Sequence, residues 1–289
     1  EEIDPPSFEI ETTYLKSYYP VSLSSTVHQH GTDYIELHSE RPLVLYFTGS
    51  TQIGLVNTTA YSGRYVWWSN RGDDSDMMLT REFDLSDVSV ATLEFWAWYD
   101  IEEDWDYAYV EISTDNGETW EILTTPSGTP TNPNGNSFGW AWTGKSGNGG
   151  AAEWIQERVN LSPYTGQEVL IRFEYITDDA VNRPGFVLDN VAIPEIDYFS
   201  DLEEDDDEWE PAGFIRHANV LPQRWLVQMI LFGPQGEPTT VERLELDEDQ
   251  TGEWVIPLDG RTDRAILTVS GLAPVTTELG AYNYEIEEQ

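Results

Sequence analysis

Cysteine is absent from the 289-residue sequence, and lysine occurs only twice, as Lys16 and Lys145. Without thiols the chain has no disulfide framework, no thiol nucleophile and no cysteine-ligated zinc site. No apolar run approaches the ~20 residues that cross a bilayer, which argues against membrane insertion. The zinc-protease motif His-Glu-x-x-His and the Gly-x-Ser-x-Gly elbow of hydrolases are also missing. We therefore expect no catalysis by this chain.

Positive charge is scarce, because 14 basic residues face 54 acidic ones and the formal net charge is −40. Such a chain repels phosphate backbones and anionic lipids, so nucleic acid and membrane surfaces are excluded as partners. Aromatic residues make up 13% of the sequence, which distinguishes it from a disordered acidic chain. A folded surface must carry the charge, and its self-repulsion requires salt or bound cations.

Helical periodicity is almost absent, whereas alternation of apolar and polar residues is widespread. It runs through Thr92–Tyr99, Tyr107–Ser113 and Val169–Tyr175, with Gly, Pro, Asn and Asp between such segments. A period of two residues indicates half-buried strands, and short strands separated by turns are typical of antiparallel sandwiches. The sequence predicts an all-β protein with two antiparallel, jelly-roll-like β-sandwich domains.

The domain boundary is predicted at the acidic run Asp201–Glu210, in which eight of ten residues are Asp or Glu. A run of like charges is typical of a solvated linker, although a calcium-loaded hinge is the alternative. Residues 1–50 are assigned to an extended or β segment that can join the first sandwich. The predicted domains are a jelly-roll sandwich over residues 51–204 and a small C-terminal sandwich over 205–289.

Two further segments have a recognisable local character. Pro126–Gly150 is rich in Gly, Asn, Ser and Pro and is predicted to form a long loop. Ser113–Trp120 has the spacing Ser-x-Asp-x-Gly-x-x-Trp of an Asp-box. Asn and Gly at its centre tolerate positive φ, so we interpret it as a hairpin turn that stabilises the fold.

Acidic clusters provide candidate ligands for calcium, which takes six to eight oxygen ligands. They lie at Asp73–Asp76, at Glu102–Asp106 and at Asp178-Asp179 with Asp189. Alternation puts Asp189 on the apolar face of Val187, Val191 and Ile193, where a carboxylate must be paired, hydrogen-bonded or metal-bound. Solvation is the simpler interpretation of the other clusters. The candidate calcium ligands are Asp74, Asp76, Glu103, Asp104, Asp106 and Asp189.

Histidines offer a weaker metal hypothesis. His28 and His30 alternate along a strand and could share a zinc ion with His38. We favour ordinary surface histidines, because nothing else in the sequence supports a zinc site.

Exposed aromatic side chains are candidates for ligand contact. Trp96 and Trp98 lie opposite the apolar face of their strand, and Trp140 falls in the long loop. Such rings can stack on sugars or hold peptides, but they more often pack under loops as an outer layer of the sandwich.

Three segments of the sequence resemble the MAM-like module of immune inhibitor A peptidases, which are secreted bacterial metallopeptidases of the M6 type. They are YVWWSNRGDDSDMMLTREFDL at 65–85, TLEFWAWYDIEEDWDYAYVEISTDNGETWEIL at 92–123 and WIQERVNLSPYTGQEVLIRFEYITDDAVNRPGFVLDNVAIPEI at 154–196. The resemblance implies a jelly roll, secretion, a stabilising calcium ion and a zinc catalytic domain upstream. The zinc ligands of that catalytic domain have no counterpart in this chain.

The function expected from sequence is that of a non-catalytic accessory region of such a peptidase, calcium-stabilised and recognising substrate or partner. The predicted location is extracellular or at a bacterial cell surface, with a protein or a glycan as partner. One alternative is a structural surface protein that self-assembles through strand edges. Another is a carbohydrate-binding module that uses Trp96, Trp98 or Trp140.

Overall fold

The computed structural model describes residues 10–16, 19–204, 208–259, 262 and 264–289. Within these ranges the protein is built of strands and two short 3-10 helices, which confirms the all-β prediction. The first strands are β1 (Thr12–Lys16), β2 (Val21–Val27), β3 (Asp33–His38), β4 (Leu43–Gly49), β5 (Gln52–Ile53), β6 (Val66–Trp68), β7 (Asp76–Asp84), β8 (Thr92–Asp100), β9 (Tyr107–Ser113), β10 (Glu121–Ile122) and β11 (Ile155–Asn160). After the 3-10 turn Ser162–Tyr164 come β12 (Glu168–Ile176) and β13 (Gly185–Ile193). After the second 3-10 turn, Pro194–Ile196, come β14 (Tyr198–Ser200), β15 (Glu210–Ala212), β16 (Ile215–His217), β17 (Leu221–Pro222), β18 (Trp225–Phe232), β19 (Pro238–Leu244), β20 (Thr251–Ile256), β21 (Arg264–Gly271) and β22 (Gly280–Glu288).

The chain forms two compact units. The central unit is Thr58–Asn219, and the composite unit combines Glu1–Asn57 with Val220–Gln289.

The central unit is a sandwich of two antiparallel sheets. Their strand orders are β10-β9-β12-β7-β15 and β11-β8-β13-β6-β16, with β14 paired to β13. Alternate residues of both sheets meet in one core, in which Phe95 of β8 contacts Phe173 of β12 with ring centroids 4.9 Å apart. The alternation predicted for β8, β9 and β12 therefore reflects one buried face on each strand.

The composite unit also encloses one core between two main sheets. Their orders are β1-β3-β21-β18-β19 and β2-β22-β4-β20, and a small third sheet joins β17 to β5. β1 pairs with β3 in parallel, whereas the other strand pairs of this unit are antiparallel. Phe47 of β4 stacks on Tyr282 of β22, with centroids 5.7 Å apart.

The division into units differs from the one expected from sequence. The segment assigned to residues 1–50 provides β2, β3 and β4, which pair with β21 and β22 from the end of the chain. Residue 205, the expected boundary, lies outside the described residues. At the end of the acidic run and after it, β15 and β16 still pair with β7 and β6, and Trp209 and Phe214 are buried in the central core. The central unit therefore continues to Asn219.

No helix in the described part of the chain has the length and apolar character that a membrane span requires.

Candidate functional site

Three carboxylates converge at one end of the central sandwich. Glu102, Asp106 and Asp178 each offer an oxygen, and these oxygens all lie within 4.8 Å of one another. Asp106 is 2% exposed, and the other two residues are half-buried. The described residues contain no second group of three or more His, Cys, Asp or Glu side chains close enough to share an ion.

Strand pairing explains why residues so far apart in sequence meet. Tyr107, the first residue of β9, pairs with Ile176, the last residue of β12. Asp106 precedes the first of these strands and Asp178 follows the second, so both lie at the same end of the sheet. Glu102 is added by a turn in which the Asp106 N–H donates to the Glu102 carbonyl oxygen at 3.1 Å.

The Asp106 carboxylate is held in place by two donors. Tyr175 Oη donates to Oδ2 at 3.0 Å, and the Asp178 N–H donates to Oδ1 at 3.0 Å. Burial nevertheless raises the pKa of Asp106, because water is removed from its charged form. The pKa of Glu102 is also raised, by burial first and then by the charges of Asp178 and Asp106, whereas Arg183 lowers it.

The geometry and the donor chemistry fit a hard divalent cation. Oxygens bound to one calcium ion at about 2.3–2.6 Å are at most about 5 Å apart, which accommodates the spacing of these three carboxylates. All three are oxygen donors, as calcium prefers, whereas zinc favours histidine and cysteine. A cation would also offset the repulsion that raises the pKa of Glu102.

Of the six candidate calcium ligands selected from sequence, only Asp106 belongs to this group. Glu103 is exposed, and Asp104 is fixed through its backbone, since its N–H donates to Thr143 Oγ1 at 2.8 Å. Asp74 touches the site through its backbone N–H, which donates to the Asp178 carbonyl oxygen at 2.6 Å. Asp76 lies instead near Glu174, where its charge helps to raise the pKa of that residue.

Asp189 is fully buried, but its carboxylate is satisfied by backbone groups. The Ser62 N–H donates to Oδ2 at 3.0 Å, and the Asn190 N–H donates to Oδ1 at 2.7 Å. Burial raises its pKa to about 6, although these bonds and one from the Tyr61 backbone lower it. The sequence predicted that this carboxylate is paired, hydrogen-bonded or metal-bound, and in the structure it is hydrogen-bonded.

The predicted face of Asp189 is wrong in one respect. The pairing of β13 with β8 shifts register between Asp189 and Ala192, which marks a bulge. Val191 and Ile193 face the core, whereas Asp189 pairs with Trp96 on the opposite face. The bulge ended the simple alternation on which the prediction depended.

The candidate zinc histidines do not form a group with other ligands in the described ranges. His38 Nε2 lies 2.6 Å from Glu36 Oε1, and Arg264 pairs with the other oxygen of Glu36 at 2.9 Å. His28 and His30 are exposed.

The three predicted binding tryptophans have different surroundings. Trp96 is half-buried and stacked by Tyr61, with centroids 3.7 Å apart. Trp98 is 2% exposed, and its Nε1 donates to the Ala152 carbonyl oxygen. Trp140 is half-buried, and its Nε1 donates to the Thr125 carbonyl oxygen. Each ring therefore has an intramolecular partner.

The Asp-box forms the tight turn that its sequence predicts. Asn116 and Gly117 adopt φ of 60° and 86°, and Asp115 Oδ1 accepts the Thr119 N–H at 2.9 Å. Hydrogen bonds from Thr119 and Ser113 lower the pKa of Asp115 to about 2. Arg172 lies 3.7 Å from the centre of the Trp120 ring, so the turn is anchored to β12.

Glu102 and Asp178 belong to two of the acidic clusters predicted from sequence, but neither was among the six selected ligands. The available signal was the pairing of the two alternating segments that became β9 and β12, since that pairing puts their flanking acids at one end. Adjacent acids in a cluster were a poorer guide, because Glu103 and Asp104 lie outside the group.

Comparisons with known proteins add a family assignment. The model of the immune inhibitor A-like MAM domain matches residues 29–219, about two thirds of the chain. The match confirms the resemblance recognised in the sequence.

Three curated proteins are similar over part of the chain. Pre-pro-metalloprotease PrtV of Vibrio cholerae serotype O1 (strain M66-2) is 33% identical over 135 residues, which are 47% of this chain and 13% of that protein. Immune inhibitor A of Bacillus thuringiensis subsp. alesti is 31% identical over 137 residues, 45% of this chain and 17% of that protein. Bacillopeptidase F of Bacillus subtilis (strain 168) is 24% identical over 144 residues, 47% and 8% of the respective lengths. The matched region thus spans less than a fifth of each relative.

Proposed function

Since the chain belongs to the immune inhibitor A-like MAM domain family, we propose that it is a non-catalytic accessory region of a secreted bacterial metallopeptidase. In this role it is stabilised by calcium and recognises a protein substrate or partner. The observation that carries the proposal is the convergence of Glu102, Asp106 and Asp178 within a unit that the family model covers.

The accessory role is supported by what the family match includes. Two relatives are named a metalloprotease and an immune inhibitor, and each shares only a small part of its length with this chain. The chain itself contains no His-Glu-x-x-His motif. Any zinc chemistry of a parent protein would therefore belong to another part of it.

Calcium is the cation favoured by the ligand set. Asp106, Asp178 and Glu102 would hold it, and Tyr175 and the Asp178 N–H would keep the Asp106 carboxylate oriented. The ion supplies positive charge to a buried carboxylate whose pKa is raised by desolvation. Extracellular modules bind calcium with dissociation constants of about 10⁻⁴–10⁻³ M, so a site of this kind fits a protein that works outside the cell.

The test is thermal unfolding in millimolar calcium and in chelator, on the intact chain and on Asp106→Asn. With a dissociation constant of about 10⁻⁴–10⁻³ M, about 10 mM calcium stabilises the protein by about 1.4–2.7 kcal/mol, so the melting temperature of the unmodified chain should rise by a few degrees. Asp106→Asn should abolish the rise. Asp104→Asn is the matched control, because Asp104 lies in the same turn but outside the carboxylate group and has φ of 66°, which asparagine tolerates.

Sodium chloride at the ionic strength of the calcium buffer separates site binding from screening of the −40 charge. An equal rise with sodium, or an equal calcium response in parent and Asp106→Asn, would contradict the calcium proposal.

The two alternative functions have less support. In β19, Val241 is 62% exposed, but Pro238, Glu242 and Arg243 in the same edge strand oppose pairing with another chain. The stacking of Trp96 under Tyr61 leaves less ring surface for a sugar. Self-assembly and glycan binding therefore rank below recognition of a protein partner.

A further inference from the structure

Strand β2 (Val21–Val27) forms an open edge of the composite unit. It is the terminal strand of the sheet β2-β22-β4-β20, and within the described residues it pairs with no strand besides β22. Ser22, Leu23, Ser24 and Thr26 are exposed. Successive residues of a strand point to opposite faces, so three exposed residues in a row show that β2 is open to solvent on both faces.

β2 lacks the charged residues that protect other sheet edges. Its sequence, Val-Ser-Leu-Ser-Ser-Thr-Val, contains no charged residue and no proline. In the four main sheets, as far as the structure describes them, every other strand at the end of a sheet order contains a charged residue, such as Lys16 in β1, Glu242 in β19 and Glu253 in β20. Charges and prolines oppose pairing with another chain, so β2 is the edge that remains available for it.

The pairing of β22 shows which backbone groups of β2 face outward. The Ser50 N–H donates to the Ala281 carbonyl oxygen at 2.9 Å, on the β4 side of β22. Because backbone direction alternates along a strand, the next residue, Tyr282, faces β2, where it pairs with Ser25. The N–H and C=O groups of Ser24 therefore point away from β22, as do those of the residues two positions to either side of it. These groups are a template for one further strand.

An apolar side chain lies at this edge, on the core side of the sheet. Leu23 pairs with Tyr284, so their side chains are on the same face. Tyr284 is 3% exposed and belongs to the core of the composite unit, whereas Leu23 is 42% exposed. A strand added beside β2 would cover Leu23 with its own inward side chains, so apolar residues are expected at those positions of a partner.

The other face of the same sheet is acidic. Glu285 is opposite Ser22, and Glu253 pairs with Tyr46, whose Oη donates to Glu287 Oε1 at 3.1 Å. This hydrogen bond raises the pKa of Tyr46, and loss of hydration and the charges of the three glutamates raise it further.

These charges favour one kind of partner. An added strand would lie about 10 Å from β22, and lysine side chains span much of that distance, so screening by physiological salt is incomplete. Outward-facing Lys or Arg in the partner would therefore be attracted. A second copy of this chain would be repelled, because each copy has a formal net charge of −40.

We propose that the β2 edge binds an extended segment of a partner protein by strand addition. The segment alternates apolar residues, which cover Leu23, with Lys or Arg residues on the acidic face, and its main chain bonds to the outward groups of β2. The inference rests on the proposed accessory role, because it names the class of partner that this role recognises. Peptide binding at constant calcium is a separate measurement from calcium-dependent unfolding, so either proposal can fail without the other.

The probe is a fluorescently labelled peptide with blocked termini, Val-Lys-Val-Thr-Val-Lys-Val. Its anisotropy is followed as the full chain is added at physiological salt. One matched peptide has Glu in place of both Lys residues. The other has Pro in place of the central Thr, which keeps the charge but opposes strand pairing. The probe should bind saturably, and both matched peptides should bind at least about tenfold more weakly.

Variants test whether β2 is the binding edge. Ser24→Pro removes an outward N–H and keeps the bonds to β22, and Ser24→Lys adds a charge that repels the lysines of the probe. Each should weaken probe binding by about tenfold or more. Thr240→Lys is the matched control, because it makes the same change of charge in the edge strand β19 and should bind as the parent does. Ser24→Lys remains informative if Ser24→Pro fails to fold.

Three results would overturn the proposal. They are no saturable binding of the probe up to millimolar concentration, equal affinity for the proline-containing peptide, and equal affinity of Ser24→Lys and Thr240→Lys for the probe. Light scattering tests the remaining occupant. A dimer of the parent that is lost in Ser24→Lys would make a second copy the strand partner and would also overturn the proposal, whereas a monomer at all concentrations supports it.

Discussion

Replacement of Asp189 by asparagine should change how the stability of the protein depends on pH. The side chain is 0% exposed, and burial raises its pKa to about 6 from the ordinary value of 3.8. The folded state therefore binds the proton more tightly than the unfolded state does. The resulting stabilisation is complete below about pH 3.8 and is lost as the pH rises through about 6.

The magnitude follows from that difference. About two pKa units correspond to about 3 kcal/mol, and most of it is lost between about pH 4 and pH 8. Asparagine keeps one acceptor oxygen for the backbone N–H groups of Ser62 and Asn190 but does not titrate. Its cost from a lost hydrogen bond is therefore constant with pH. The free energy of unfolding of Asp189→Asn, relative to that of the parent, should rise by about 2–3 kcal/mol across this range.

Urea unfolding followed by tryptophan fluorescence, at constant calcium and at several pH values, measures this difference. Asp115→Asn is the control, because hydrogen bonds lower the pKa of Asp115 to about 2 and its titration lies below the range tested. A flat difference for Asp189→Asn would refute the reasoning. If the free energy of unfolding of Asp189→Asn, relative to that of the parent, fell as the pH rose, the charged form of Asp189 would be favoured in the folded protein.

One half-buried glutamate, Glu174, and one fully buried glutamate, Glu157, give further predictions. Burial and then the charge of Glu111 raise the pKa of Glu174 to about 8, so the parent loses stability as Glu174 ionises. Because solvent screens this half-buried site, Glu174→Gln should stabilise the protein by only roughly 1–2 kcal/mol at pH 8, and not at pH 4. Equal urea midpoints for parent and variant at pH 8 would contradict this. Glu157→Ala should cost roughly 2–4 kcal/mol, because Glu157 is 0% exposed and its Oε1 accepts the Trp142 Nε1–H at 3.0 Å. Glu157→Gln retains an acceptor and should cost much less, so equal losses in urea unfolding would argue against that bond.

The strands of the central unit were predictable because one face of each is buried. The alternation in Thr92–Tyr99 and Val169–Tyr175 corresponds to β8 and β12, whose inward residues share one core. This signal is local, since it needs only the pleat of a strand and a difference in burial between its faces. Asp189 shows its limit, because a bulge reverses the faces of the residues that follow.

The composite unit was not predictable by the same reasoning. β2 pairs with β22, so Val21 aligns with Ile286 across almost the whole chain. No local pattern specifies that partner, because a strand with alternating apolar and polar residues can pair with any other strand that has the same alternation. The acidic run suggested a boundary by composition, but Trp209 near its end and Phe214 after it are buried in the central core.

Most buried carboxylates of the central unit are accommodated without a cation, so the need for calcium at one site differs from the general need to screen the negative charge. Asp189 is satisfied by backbone N–H groups. Glu157 accepts hydrogen bonds from Trp142 and Ser127 at Oε1, and its buried Oε2 has no hydrogen-bond partner among the described residues. Glu111 lies beside Glu174, where a raised pKa permits proton sharing instead of ion binding. Asp106 differs, because two more carboxylates approach it within the span of one ion. Calcium should therefore act at one place in the central unit, whereas the exposed majority of the 54 acidic residues responds to salt of any kind.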